Sequence, residues 1–223
     1  MPRLYHDPKF DGTWTISKAE NHLGQAYTGT MRISALPRGG HGIEWQTSAG
    51  EYEGIALAIE GQLYVAFGAT TSEVGYGLAV YSELNGGIEA IFTGYGLEGA
   101  TGRETVPDCP GMAHLNQTYD MQGWQFGNVR YKGKVAFASY GELFLITWGF
   151  EGTTGQYVGV GMLRNGKLLT GYGIRSDFTF GCGLYTLQAD GGLHGEWAIP
   201  SYQQTVFETY SPPANGSRAP QLN

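Results

Sequence analysis

The chain carries one pattern twice, and that duplication limits its folds more than any other feature. The first copy runs from about Phe10 to Thr105 and the second from about Leu115 to Thr209. Tyr27-Thr-Gly29 matches Tyr131-Lys-Gly133, Ile43-Glu-Trp45 matches Ile146-Thr-Trp148, and Tyr52-Glu-Gly54 matches Tyr157-Val-Gly159. Gly75-Tyr-Gly77 aligns with Gly181-Cys-Gly183, Tyr81 with Tyr185, and Glu104-Thr105 with Glu208-Thr209. Chance similarity does not hold an offset of about 104 residues over that length. The expected organisation is an N-terminal arm (residues 1–9), a first β repeat (10–107), a linker (108–114), a second β repeat (115–211) and a flexible, proline-containing tail (212–223).

Within each copy the hydrophobic period is two. Phe144, Ile146 and Trp148 alternate with Leu143, Leu145 and Thr147, and Ile55, Leu57 and Ile59 alternate with Gly54, Ala56 and Ala58. Such alternation marks strands, and no window shows a helical period. Turn residues at Pro37–Gly40, Glu60-Gly61, Asn85–Gly87, Asn165-Gly166 and Asp190–Gly192 divide each copy into about eight short strands. The expected fold class is therefore all-β. An antiparallel meander would form either two small barrels packed together or one larger pseudo-twofold barrel.

Glycine, at 37 of 223 residues, is more than twice its usual share. Many occur as Gly-x-Gly, at Gly75/Gly77, Gly94/Gly96, Gly159/Gly161, Gly171/Gly173 and Gly181/Gly183. Residues two apart on a strand share a face, so each pair leaves a bare patch. A bare patch serves strong curvature, an aromatic ring from a neighbouring strand, or a ligand lying on the backbone. Curvature of a small barrel is the expected main use. Tyr76, Tyr95 and Tyr172 lie between such glycines and point the other way.

Several function classes are excluded or disfavoured. A net charge of −7 argues against nucleic acid, which needs clustered Lys and Arg. Gly159-Val-Gly161-Met-Leu-Arg-Asn-Gly166 lacks the G-x-G-x-x-G spacing of a phosphate loop and no helix is expected after it, and no G-x-x-x-x-G-K-[ST], H-E-x-x-H or G-x-S-x-G elbow occurs, so no cofactor and no metal are expected. No apolar run approaches the ~18 residues of a membrane helix, so no membrane partner is expected. The start at Met1 lacks a secretory h-region, and Cys109 and Cys182 are expected to be unpaired thiols, both pointing to a cytoplasmic protein.

The expected partner is a small hydrophobic or aromatic molecule, and a homo-oligomer stays open. The candidate binding residues are aromatics kept in both copies, Trp45/Trp148, Tyr52/Tyr157 and Tyr81/Tyr185, since Trp and Tyr in a barrel mouth line apolar pockets. To these the second copy adds Trp124 and Phe126, beside Tyr131, where the first copy has only Gly24-Gln-Ala26. Glu104 and Glu208 are expected to meet an arginine or a backbone donor and seal the closing strands. Glu44, Glu51 and Glu53 form either a solvated face or an acidic pocket. His41 and His194 are the histidines placed to act as acid or base.

Taken together, Gly12-Thr-Trp14, the repeated Tyr-x-Gly, Asp190-Gly-Gly-Leu-His-Gly-Glu-Trp197 and the closing Glu-Thr resemble a bacterial group of small β domains labelled fibronectin-binding-protein-like. That resemblance spans roughly residues 10–210. Gly12-Thr-Trp14 alone is similar to the first strand of avidin- and lipocalin-type (calycin-like) barrels. The second copy departs where Tyr119 replaces Trp14, and the first where Gly87-Ile-Glu-Ala-Ile-Phe92 ends it. What the resemblance implies is a β-barrel domain, with no verified activity. The leading functional expectation is small-molecule binding. The alternatives are a barrel cyclase or isomerase of specialised metabolism, with acid–base help from Glu44, His41, His194 or a Tyr, and an adhesive module.

Overall fold

The computed structural model describes residues 4–70, 75–84, 86–174 and 180–212. Asn85 and the expected tail beyond Pro212 lie outside the described residues. Among the described residues sixteen strands form, eight in each sequence copy, with one short 3-10 turn at Met112–His114. They close into two antiparallel barrels of eight strands.

Barrel I contains β1 (Gly12–Ala19), β2 (Gly29–Ala35), β3 (His41–Thr47), β4 (Gly50–Ile59) and β5 (Gln62–Ala69). It is completed by β14 (Phe180–Leu187), β15 (Leu193–Ala198) and β16 (Val206–Ser211). Barrel II is the uninterrupted meander between them. Its strands are β6 (Tyr76–Leu84), β7 (Gly87–Gly94), β8 (Gly102–Val106), β9 (Thr118–Gln125), β10 (Val129–Tyr140), β11 (Leu143–Phe150), β12 (Gln156–Arg164) and β13 (Lys167–Ile174).

The units in space are therefore not the sequence copies. Each barrel takes five strands from one copy and three from the other. The ladders show why the exchange is neutral for pairing. β5 pairs with β14, the repeat equivalent of β6, and β13 pairs with β6, the repeat equivalent of β14. Every strand thus meets the kind of partner its own copy would supply, and only the covalent route differs. The chain leaves barrel I after β5, enters barrel II at β6, and returns to barrel I between β13 and β14.

Three cores result. Barrel I is filled by Phe10, Trp14, Met31, Trp45, Tyr185 and Tyr210, and barrel II by Tyr119, Met121, Phe137, Ile146, Trp148 and Leu168. The third lies between the barrels, where Ile55, Leu57, Tyr64, Leu78, Val160, Met162 and Leu169 interdigitate. The alternation along β4 has this meaning: small Ala56 faces its own lumen while Ile55 and Leu57 face the other barrel. Leu57, Leu78 and Leu169 are fully buried, and each contributes roughly 1.5–3 kcal/mol against separation of the barrels.

Matched contacts fix the barrels' mutual orientation. The Arg38 N–H on the β2–β3 turn donates to the Glu98 carbonyl of barrel II, and the Glu142 N–H on the β10–β11 turn donates to the Gln203 carbonyl of barrel I, both at 2.9 Å. Matched contacts also plug one end of each barrel. Trp14 Nε1 donates to the Phe10 carbonyl and, where Tyr119 replaces that tryptophan, Tyr119 Oη donates to the His114 carbonyl. Cys109 and Cys182 are both buried and unpaired, and burial pushes the Cys182 thiol up to about 12.

Candidate ligand cavity in barrel II

Several of the bare glycine faces are covered by rings. A Cβ on Gly77 would overlap the ring of Tyr172, its cross-strand partner on β13. Gly102 likewise faces Phe92, and Gly123 faces Tyr131. On Gly159 a Cβ would come within 2.9 Å of the Trp148 ring. Aromatic side chains laid across neighbouring glycines lie along the wall rather than projecting into the lumen. Curvature alone, the expected main use, does not account for these positions.

In barrel II this arrangement leaves a cavity of about 370 Å³ at the mouth. Ten of its eighteen lining residues are aromatic. Phe92, Tyr131, Phe150, Tyr157, Tyr172 and Trp148 form a continuous belt, successive ring centroids lying 5.4–6.2 Å apart and mostly edge to face. Beneath the belt sits Glu104, only 3% exposed. Its Oε1 accepts from Tyr81 Oη at 2.5 Å and Trp148 Nε1 at 3.4 Å, and its Oε2 accepts from Tyr131 Oη at 3.1 Å. Trp148 Nε1 also donates to Tyr81 Oη at 2.9 Å.

Barrel I repeats the network without matching the mouth. Glu208 accepts from Tyr185 Oη at 2.6 Å and Tyr27 Oη at 2.7 Å, while Trp45 Nε1 donates to Tyr210 Oη. Here, however, Phe67 packs edge-on against Trp45, Tyr52 and Trp197 together. His22 stacks on Tyr202 at 4.1 Å and meets Trp197 edge-on. The repeat-equivalent positions at the mouth of barrel II hold Phe126 and Leu97, 54% and 39% exposed. The barrels share a polar floor and differ in what covers it.

Burial dominates at both carboxyls and raises their pKa from the ordinary value near 4.5, against the lowering effect of the hydroxyl donors. The folded state therefore holds these protons at pH values where the unfolded chain has released them. The resulting stability is complete below about pH 4.5 and is lost as pH rises through the raised values. The double variant Glu104→Gln, Glu208→Gln is expected to flatten that decline when urea midpoints are measured from pH 4 to 9. An unchanged decline would contradict this assignment.

The remaining candidates divide. Tyr81, Phe126, Trp148 and Tyr157 come together at the cavity, although Tyr81 belongs to the other sequence copy. Trp45, Tyr52 and Tyr185 are in barrel I. Trp124 faces outward from β9, between its ladder partners Arg103 and Arg130, and does not join Phe126. Glu104 and Glu208 meet tyrosine hydroxyls, not the expected arginine or backbone donors. No acidic pocket forms from Glu44, Glu51 and Glu53: Glu44 and Glu53 are cross-strand neighbours outside barrel I, and Glu44 pairs with Arg32. His194 stacks on Phe207 away from the cavity.

His41 is fully buried beside His6 and Asp11, with the three ligand atoms within 4.8 Å of one another. Its Nε2 accepts the Asp7 N–H at 3.2 Å, so Nδ1 is the donor to Asp11 at 3.1 Å. Metal binding at Nδ1 would put a proton on Nε2 facing that N–H, so the arrangement serves to anchor the N-terminal arm. Burial lowers His41 to about 4, which keeps it neutral in this role.

Among the described residues no helix is long and apolar enough to cross a membrane. Comparison of the chain with protein-family models, with curated proteins and with solved structures returns no match.

Proposed function

We propose that barrel II binds a small molecule with an apolar, aromatic body in its mouth. The observation that carries this reading is the cavity itself, about 370 Å³, belted by aromatic rings and open beside the exposed Phe126. Its size and lining suit a small-molecule site. Packing economy argues the same way, because barrel I closes the corresponding level with its own side chains.

The test uses the neutral fluorophore N-phenyl-1-naphthylamine. One saturable site per chain is expected. Gly94→Phe is expected to abolish it, because Gly94 lines the mouth and a Cβ there meets only Leu97 and the Tyr76 carbonyl oxygen, at 3.6 Å or more. A wild-type protein with no saturable site, or a Gly94→Phe variant binding equally well, would contradict the reading.

One observation favours a second reading, catalysis by shaping a bound substrate. Glu104 is a carboxyl with a raised pKa at the cavity wall, as a general acid or base requires. Of the groups expected to assist such chemistry, only tyrosines line the cavity. His41, His194 and Glu44 do not.

A further inference from the structure

We propose that the occupant of the barrel II cavity is an organic cation, an ammonium group carried on an apolar body. This rests on the ligand-binding reading above and specifies its chemistry. The cavity contains one carboxyl, Glu104, and no basic side chain among the described lining residues. Every group that hydrogen-bonds Glu104 is a neutral donor: Tyr81, Tyr131 and Trp148. Both oxygens are thus arranged to accept, the pattern that suits a carboxylate, yet no positive charge faces them. The nearby Arg38 lies over the Phe126 ring at 4.5 Å, is paired with Glu98, and does not line the cavity.

The walls complete the case. An aromatic face carries negative charge density, and a cation held among several such faces and desolvated gains more than at an exposed site. The belt above Glu104 supplies those rings, and Tyr131 and Trp148 belong to both the belt and the carboxyl's shell. An ammonium there would be neutralised by Glu104 and surrounded by ring faces. A neutral molecule of equal shape would leave the carboxyl without a counter-charge.

Phenyltrimethylammonium and its carbon isostere tert-butylbenzene separate these cases, titrated by protein-observed NMR. The ammonium is expected to bind at least about tenfold more tightly, which corresponds to ~1.4 kcal/mol. Glu104→Gln is expected to remove that preference. Glu208→Gln, the matched change in barrel I, is expected to preserve it.

Wild-type protein gives a second reading if Glu104→Gln does not fold. The ammonium is charged at every pH, so its affinity is expected to rise as Glu104 ionises, while that of the isostere stays flat. The titratable groups facing Glu104 are Tyr81 and Tyr131, with Tyr172 further out, and burial raises all three so that they stay neutral. Equal or weaker binding of the ammonium, or a preference surviving Glu104→Gln, overturns the cation while leaving the cavity a binding site. Binding of neither probe overturns the cation, and the naphthylamine titration decides separately whether the cavity binds a small molecule at all.

Discussion

Replacing Trp148 with alanine is expected to lower stability by about 3–5 kcal/mol, whereas Trp124→Ala should stay within about 1 kcal/mol. The two tryptophans look alike as candidates in the sequence, but their surroundings differ. Trp148 is 4% exposed, lies across Gly159 and donates to Tyr81 and Glu104. Its loss removes the largest ring of the belt and opens the Glu104 floor to a wider void. Trp124 is 37% exposed on the outer face of β9. Denaturation midpoints of the two variants decide the matter. Comparable losses from both would mean that the inside and outside of barrel II are wrongly assigned.

A single added methyl should be nearly as damaging at Gly171. Gly171→Ala is expected to cost about 1–3 kcal/mol, the usual penalty of overpacking, and more if the backbone cannot move. A Cβ there would overlap the carbonyl group of Gly181, where β13 of barrel II crosses β14 of barrel I. No side chain can rotate out of the way. Gly149→Ala on β11 is the control, because nothing lies within 4 Å of its Cβ position and its φ is not positive. It is expected to be neutral within about 0.5 kcal/mol. If Gly171→Ala were equally silent, the two strands could not approach as closely as described.

Much of this fold is legible in the residues. The duplication, the eight strands per copy and the period-two alternation all correspond to observed strands. The exchange between barrels is not legible, for a definite reason. β6 and β14 are repeat equivalents with the same pattern of glycine and tyrosine, so β5 and β13 could pair with either. Local pairing preference does not specify covalent connectivity when the sequence is duplicated.

The site was partly visible. Glu104 and Glu208 stand out as carboxyls kept in both copies, and the tyrosines that bind them are kept as well. Reading those constancies together would have suggested a Glu–Tyr network. What hid it was register: Gly-x-Gly marks a bare face, but the ring that covers it comes from another strand. The pairing of Trp124 with Phe126 misleads for a related reason. Two residues apart, they should share a face, but β9 ends at Gln125 and the turn that follows breaks the parity.

Fluorine NMR of protein labelled with 5-fluorotryptophan tests the central claim most directly, because it reports where a ligand sits. The chain has five tryptophans: Trp14, Trp45, Trp124, Trp148 and Trp197. Only Trp148 lines the cavity. On titration with N-phenyl-1-naphthylamine, the resonance assigned to it by Trp148→Phe should shift saturably at one ligand per chain. The resonances of Trp14, Trp45 and Trp124 should stay in place. A saturable shift at any of those three with Trp148 unmoved, or no saturable shift at all, would contradict a ligand site in the mouth of barrel II.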